Sequence, residues 1–248
     1  MGRSQVVLIL MPSAPSYGLA VLALNAVGAS TLASRFQAVC PKKWHLSFST
    51  VYIGVLAAIA LWGGFVFNCR TIIGIQRAWL LSVPVGLVCG LASTVADRAL
   101  THWFMRQSAR ERALNAVGRT GPFASAKRVA DPRVVVTSQP SVFVEHGFGL
   151  WPLITVAALE EIVHRGWILH ACLMLPATSC RVVAMVLAFV FFALIHLRFG
   201  WCHVAGKFAL GVLAFLSMTI SGSVIAAITT HIWFNTKVWQ TQSSGNQR

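Results

Sequence analysis

Glu160 and Glu161 stand side by side in the middle of the apolar run Leu150-Trp-Pro-Leu-Ile-Thr-Val-Ala-Ala-Leu-Glu-Glu-Ile-Val-His-Arg-Gly-Trp-Ile-Leu, and they are two of only 6 acidic residues in the chain. An ionisable group at mid-bilayer costs roughly 2.5–3.5 kcal/mol, so Glu160, Glu161 and Arg165 together cost on the order of 8–10 kcal/mol before any pairing. A cluster that costly marks a site, the bland alternative being an ion pair that only holds helices together. On a helix Glu161 and Arg165 are i,i+4 neighbours and pair, whereas Glu160 points about 100° away and is left for chemistry. His164 follows Glu160 by four residues; it either joins the site or satisfies a core hydrogen bond, and the second is the stronger expectation. Two more apolar runs carry polar groups at the same interval: Phe192-Ala-Leu-Ile-His196 and His231-Ile-Trp-Phe-Asn235. A carboxylate with a neutral His activates water, while His and Asn side chains offer donors to an oxyanion. Those are the parts for acyl hydrolysis without a covalent nucleophile.

The elements that must position these groups are membrane helices. Of 248 residues, 56% are hydrophobic and 10% charged, and a chain so poor in charge cannot cover a water-facing surface. Runs long enough to span a bilayer lie near 16–34, 46–68, 78–96, 150–175, 181–197, 202–221 and 223–240. The expected fold is therefore an all-α polytopic bundle of seven spans, or eight if a short helix forms at 5–15, with the last four holding the site. It divides into N-terminal helices at 1–97, a basic connection at 98–149, and a core at 150–240. Trp44, Trp79, Trp103, Trp151, Trp201 and Trp239 fall near segment ends as interfacial anchors, while Trp62, Trp167 and Trp233 lie within spans as packing residues. The 20 Lys and Arg sit mostly between apolar runs, which signals topology and argues against a nucleic-acid partner. By that rule the connection 98–149, with Arg98, Arg106, Arg110, Arg112, Arg119, Lys127, Arg128 and Arg133, is cytoplasmic, and seven spans put the amino terminus outside. Within it Trp103, Phe104, Leu114 and Val117 fit the apolar side of a basic surface helix, or else the stretch is a solvated loop. The 6 cysteines are scattered singly, without disulfide or zinc-ligand spacing.

Glu160-Glu161-x-x-x-Arg165-Gly166, Phe192-x-x-x-His196 and His231-x-x-x-Asn235, in that order on helices, resemble the three-motif signature of the CPBP family, the CAAX-protease and bacteriocin-processing intramembrane peptidases. The resemblance covers about 150–236, roughly a third of the chain, and includes the Ser-Gly-Ser turn at 221–223 before the last motif helix. It implies a helical fold whose last four helices enclose a water-accessible cavity, and a membrane-associated protein or peptide as substrate, in an integral membrane protein expected in a bacterial inner (plasma) membrane. Carried onto this chain, Glu160 and His196 would activate water, His231 and Asn235 would stabilise the oxyanion, and Arg165 would hold Glu161. No cofactor is expected: the family has been labelled metalloprotease, but the chain lacks His-Glu-x-x-His and any Cys ligand set, so zinc is the weaker alternative. Glu161-x-x-His164 matches one element of a di-iron bundle, yet too few acids remain to complete that site. A catalytically inactive binding or immunity protein of the same fold, and a proton-coupled transporter, are the other classes that keep such groups in a membrane core.

Overall fold

The computed structural model describes residues 33, 47–67, 79–117, 149–197 and 200–245. The expected spans near 16–34 and 5–15 fall outside them, apart from Ala33, and so does the connection beyond Val117. Each of the other six expected runs is a helical rod, and no strand occurs among the described residues. In chain order these are α1 (Phe48–Phe67), α2 (Trp79–Val117), α3 (Leu150–Glu161), a π-helical segment (Ile162–Ile168) leading directly into α4 (Leu169–Leu173), then α5 (Thr178–Leu194), α6 (Trp201–Ser221) and α7 (Val224–Gly245).

Local sequence explains where the rods start and stop. Gly149 is extended and Pro152 lies in the first turn of α3, where a missing N–H breaks no helical bond. The rod from α3 to α4 ends before Pro176, and Arg181 covers the turn by donating from Nε to the Leu175 carbonyl at 2.6 Å. Gly222 closes α6 in the left-handed region at φ 69°, its N–H donating to the Met218 carbonyl at 2.7 Å. That lets the short Ser-Gly-Ser turn reverse the chain straight into α7. Gly200, at φ 98°, makes the equivalent sharp entry into α6.

Two features depart from the sequence expectation. Helix α2 continues to Val117 without a break, so the first part of the basic stretch 98–149 extends the apolar helix that precedes it rather than forming a loop or a separate surface helix. Ala, Leu, Arg, Gln and Glu dominate residues 106–114, and their helix propensity carries the rod on after its apolar half ends. Trp62, expected to pack, is more than half exposed, whereas Trp167 is buried.

The packing is that of a bundle whose outside is apolar. Helix α2 lies against α6 and α7, α7 also against α3 and α6, α5 against α6, and α1 against α3 and the π-helical segment. Val163, Trp167, Ile168, Ala171 and Cys172 of the bent rod bury against Ala184 and Ala188 of α5. Leu80, Leu81, Val88, Leu91 and Val95 of α2, Val182, Val183 and Val186 of α5, and Ile220 of α6 face outward. Ser93, Ser217, Thr230 and His231 are fully buried. Polar groups inside and aliphatic groups outside suit a lipid solvent, and Leu80–Glu111 and Trp201–Ser221 are long and apolar enough to cross it.

Candidate active site

The chain of polar contacts begins where α3 gives way to the π-helical segment, a distortion that often accompanies function in helices. Glu161 ends α3 and Arg165 lies in the wider turn, with Arg165 Nε 3.2 Å from Glu161 Oε2 and Nη1 3.2 Å from Oε1. The guanidinium also donates from Nη2 to the Gly211 carbonyl of α6 at 3.0 Å and lies 4.4 Å over the Phe192 ring of α5. A Cβ at 211 would stand 3.2 Å from that Nη2, so glycine there leaves room for the guanidinium. The expected Glu161–Arg165 pair thus joins three helices.

Glu161 has a second partner, His231 of α7, whose Nδ1 is 2.8 Å from Oε1. A carboxylate oxygen only accepts, so Nδ1 carries the hydrogen and the neutral ring keeps its lone pair on Nε2. Glu160, its neighbour, is bound differently. Tyr52 of α1 donates its hydroxyl to Glu160 Oε1 at 2.9 Å, and Glu160 Oε2 is 3.7 Å from His231 Nε2, outside hydrogen-bond range. The two carboxylates thus differ in their hydrogen-bond partners, although both lie beside the His231 ring.

His196 lies just past the end of α5, its Nδ1 3.0 Å from the Phe192 carbonyl. A carbonyl only accepts, which again puts the hydrogen on Nδ1 and the lone pair on Nε2. Phe192 is the apolar hub: its ring meets those of His164 at 4.9 Å, His196 at 5.7 Å and His231 at 6.1 Å, all edge-on. His164 does not satisfy the core hydrogen bond expected of it, for neither ring nitrogen meets a partner among the described residues.

Asn235, one turn beyond His231, donates from Nδ2 to the Leu153 carbonyl at 3.4 Å, which turns its Oδ1 the other way. Both Oδ1 and His231 Nε2 point at a residue absent from the sequence reading, Lys207 of α6, whose Nζ is 3.3 Å from the first and 3.1 Å from the second. Lys207 is within electrostatic range of Glu160, Glu161 and Asp97, so two cations offset the glutamate pair. The signal for it was present: an ionisable residue inside an apolar span marks a site by default. Glu160, Glu161, Arg165, His231 and Asn235 are thereby gathered into one network, with His196 joined to it through Phe192.

Among the described residues no three His, Cys, Asp or Glu side chains are grouped to hold an ion, and the lone pair that His231 would offer already accepts from an ammonium at 3.1 Å.

Residues 144–236 match the family model described as type II CAAX prenyl endopeptidase Rce1-like, a span that contains every member of this network except Tyr52. No curated protein and no solved structure matches the chain.

Proposed function

We propose that this chain, which belongs over residues 144–236 to the type II CAAX prenyl endopeptidase Rce1-like family, is an intramembrane endopeptidase that cuts a membrane-associated protein or peptide with activated water. The observation that carries this reading is the unequal treatment of two adjacent carboxylates. Glu161 is engaged by Arg165 and His231, while Glu160 Oε2 has no contact shorter than 3.7 Å to His231. Glu160 is the base, and Tyr52 orients it through the other oxygen. His196, with its lone pair on Nε2, shares the proton that leaves the water and returns it to the departing amine. The oxyanion of the tetrahedral intermediate forms on the His231 and Asn235 side. Hydrophobic helices and the family domain make the setting a membrane, and the terminus named in the family's description, a prenylated CAAX sequence, is the first substrate to offer. The test is mass spectrometry of membrane peptides from cells with the protein, without it, and with Glu160→Gln. Purified protein in lipid nanodiscs is given a farnesylated CAAX peptide and its unprenylated counterpart in parallel. A C-terminal fragment made only by the unaltered protein is expected. Binding of either peptide with no fragment in any sample would leave a binding protein, not a protease.

A further inference from the structure

We infer that Lys207 is a catalytic residue of this site, the one that touches the oxyanion, and that His231 and Asn235 act by holding its ammonium in place. The inference rests on the peptidase reading above.

The argument is one of donors and acceptors. Glu161 forces the hydrogen of His231 onto Nδ1, so Nε2 has only a lone pair to present. The Leu153 carbonyl forces the amide nitrogen of Asn235 toward itself, so Oδ1 is the atom that faces the other way. An oxyanion cannot be bound by a lone pair and a carbonyl oxygen. Both of those acceptors are directed at Lys207 Nζ, at 3.1 and 3.3 Å, and an ammonium has three N–H bonds and no lone pair. Two go to His231 and Asn235. The third is a charged donor on a nitrogen held by two hydrogen bonds, with the Phe234 ring centroid 5.3 Å away.

Burial places all of these residues away from the surface. Glu161 and His231 are 0% exposed, whereas His196 and Lys207 keep 8% and Asn235 keeps 9%. Glu160 at 2% and Arg165 at 4% fall between them, so the proposed base and the lysine are both buried groups of one site. A lysine used only to neutralise glutamates would take its ion pair with Glu160, Glu161 or Asp97. Its Nζ instead makes its hydrogen bonds to two neutral groups. Its charge lies near Glu160, Glu161 and Asp97, but the N–H given to neither His231 nor Asn235 is the donor that an anion formed during the reaction would meet, and a contact made only then is how differential stabilisation of a transition state arises.

In the step itself, the water oxygen bonds to the scissile carbonyl carbon as its proton passes to Glu160, and the carbonyl π pair becomes the oxyanion. Lys207 donates a hydrogen bond to that oxygen and keeps its proton. The C–N bond then breaks, the π pair re-forms, and the amine leaves with the proton held at Glu160 and His196.

The experiment compares binding of a farnesylated CAAX peptide whose scissile amide is replaced by an anionic phosphinate with binding of the parent amide, in nanodiscs, for the unaltered protein, Lys207→Met, Lys207→Gln and Lys207→Arg. The unaltered protein should prefer the phosphinate by about 100-fold or more, since transition-state mimics bind more tightly than substrates. Lys207→Met and Lys207→Gln should show no preference above about threefold, and Lys207→Arg should keep part of it. Lys207→Gln retains a neutral donor for His231 and Asn235, so it serves should Lys207→Met melt early. In turnover, kcat of either neutral variant should fall by about 10²–10³, as for loss of an oxyanion donor, with KM nearly unchanged. A folded neutral variant that keeps the phosphinate preference, or an unaltered protein that has none, overturns the assignment. Lysine-dependent phosphinate binding without any cleavage would instead sink the peptidase reading and leave an anion site.

Discussion

At the residue scale, the adjacent glutamates should respond differently to the same change. Glu160→Gln keeps the shape and an acceptor for Tyr52 but removes the carboxylate that takes the proton. Turnover should drop by about 10²–10⁴, and further if Glu160 acts as one unit with His196. The melting temperature should stay near that of the unaltered protein. Glu161→Gln strips the charge that faces Arg165 at 3.2 Å and His231 at 2.8 Å. Breaking a buried pair costs about 3–5 kcal/mol, so lower folded yield and a lower melting temperature should accompany its loss of activity. Turnover and melting measured side by side on both variants check this; a normally active Glu160→Gln beside a stable, dead Glu161→Gln would reverse the roles. The i,i+4 spacing made the Glu161–Arg165 pair legible in the sequence. Lys207 and Tyr52 were not legible as partners, because the first meets His231 and Asn235 across 24 and 28 residues and the second meets Glu160 across 108. No helical period links them.

At the element scale, the site depends on how closely α7 approaches α2. Gly86 and Gly90 form a Gly-x-x-x-Gly face on α2, where a Cβ on Gly86 would stand 2.6 Å from the Ala226 carbonyl and one on Gly90 2.8 Å from the Trp233 side chain. Small residues at that spacing let membrane helices meet backbone to backbone. Thr230 uses the proximity: its hydroxyl lies 3.1 Å from the Gly86 carbonyl and 3.1 Å from Ser217 of α6, pinning three helices one residue away from His231. Gly86→Val should therefore push α7 outward and carry His231 and Asn235 with it. Overpacking of this kind costs about 1–3 kcal/mol, and activity should fall further than that destabilisation alone implies. Gly54→Val, on α1 where a Cβ meets nothing within 4 Å, is the control. If Gly86→Val melts lower yet cleaves normally once folded, the helix spacing does not set the geometry. Helix positions and the turn at 221–223 could be read from hydropathy and Gly-Ser chemistry. The π-helical segment could not, because nothing in the propensities of Ile162–Ile168 marks a turn wider than an α-helical one.

At the scale of the whole molecule, the described helices give the topological reading a geometric consequence. Helix α2 has 39 residues, about 58 Å at 1.5 Å per residue, against a hydrocarbon core of about 30 Å. Its apolar half fills the bilayer, so the far half, with exposed Arg98, Arg106 and Arg110, projects beyond it. On the expectation that positive charge stays inside, that projecting half is predicted to be cytoplasmic. Alternation would then start α3 on the cytoplasmic side, return α5 there at its Leu194 end, and start α6 there at Trp201. His196 just beyond α5 and Lys207 in the second turn of α6 thus fall toward that same face, so a substrate peptide should reach the site from the cytoplasm. Single-cysteine variants test this after the 6 native cysteines are replaced. Gln107→Cys, on an exposed position of the projecting half, should resist a membrane-impermeant maleimide in intact cells and react once they are permeabilised. The turn between α4 and α5 would lie on the opposite face, so Ala177→Cys, at an exposed position of that turn with ordinary extended backbone, should show the reverse pattern and react in intact cells. Reaction at 107 in intact cells, with protection at 177, would invert the protein and bring the substrate from outside.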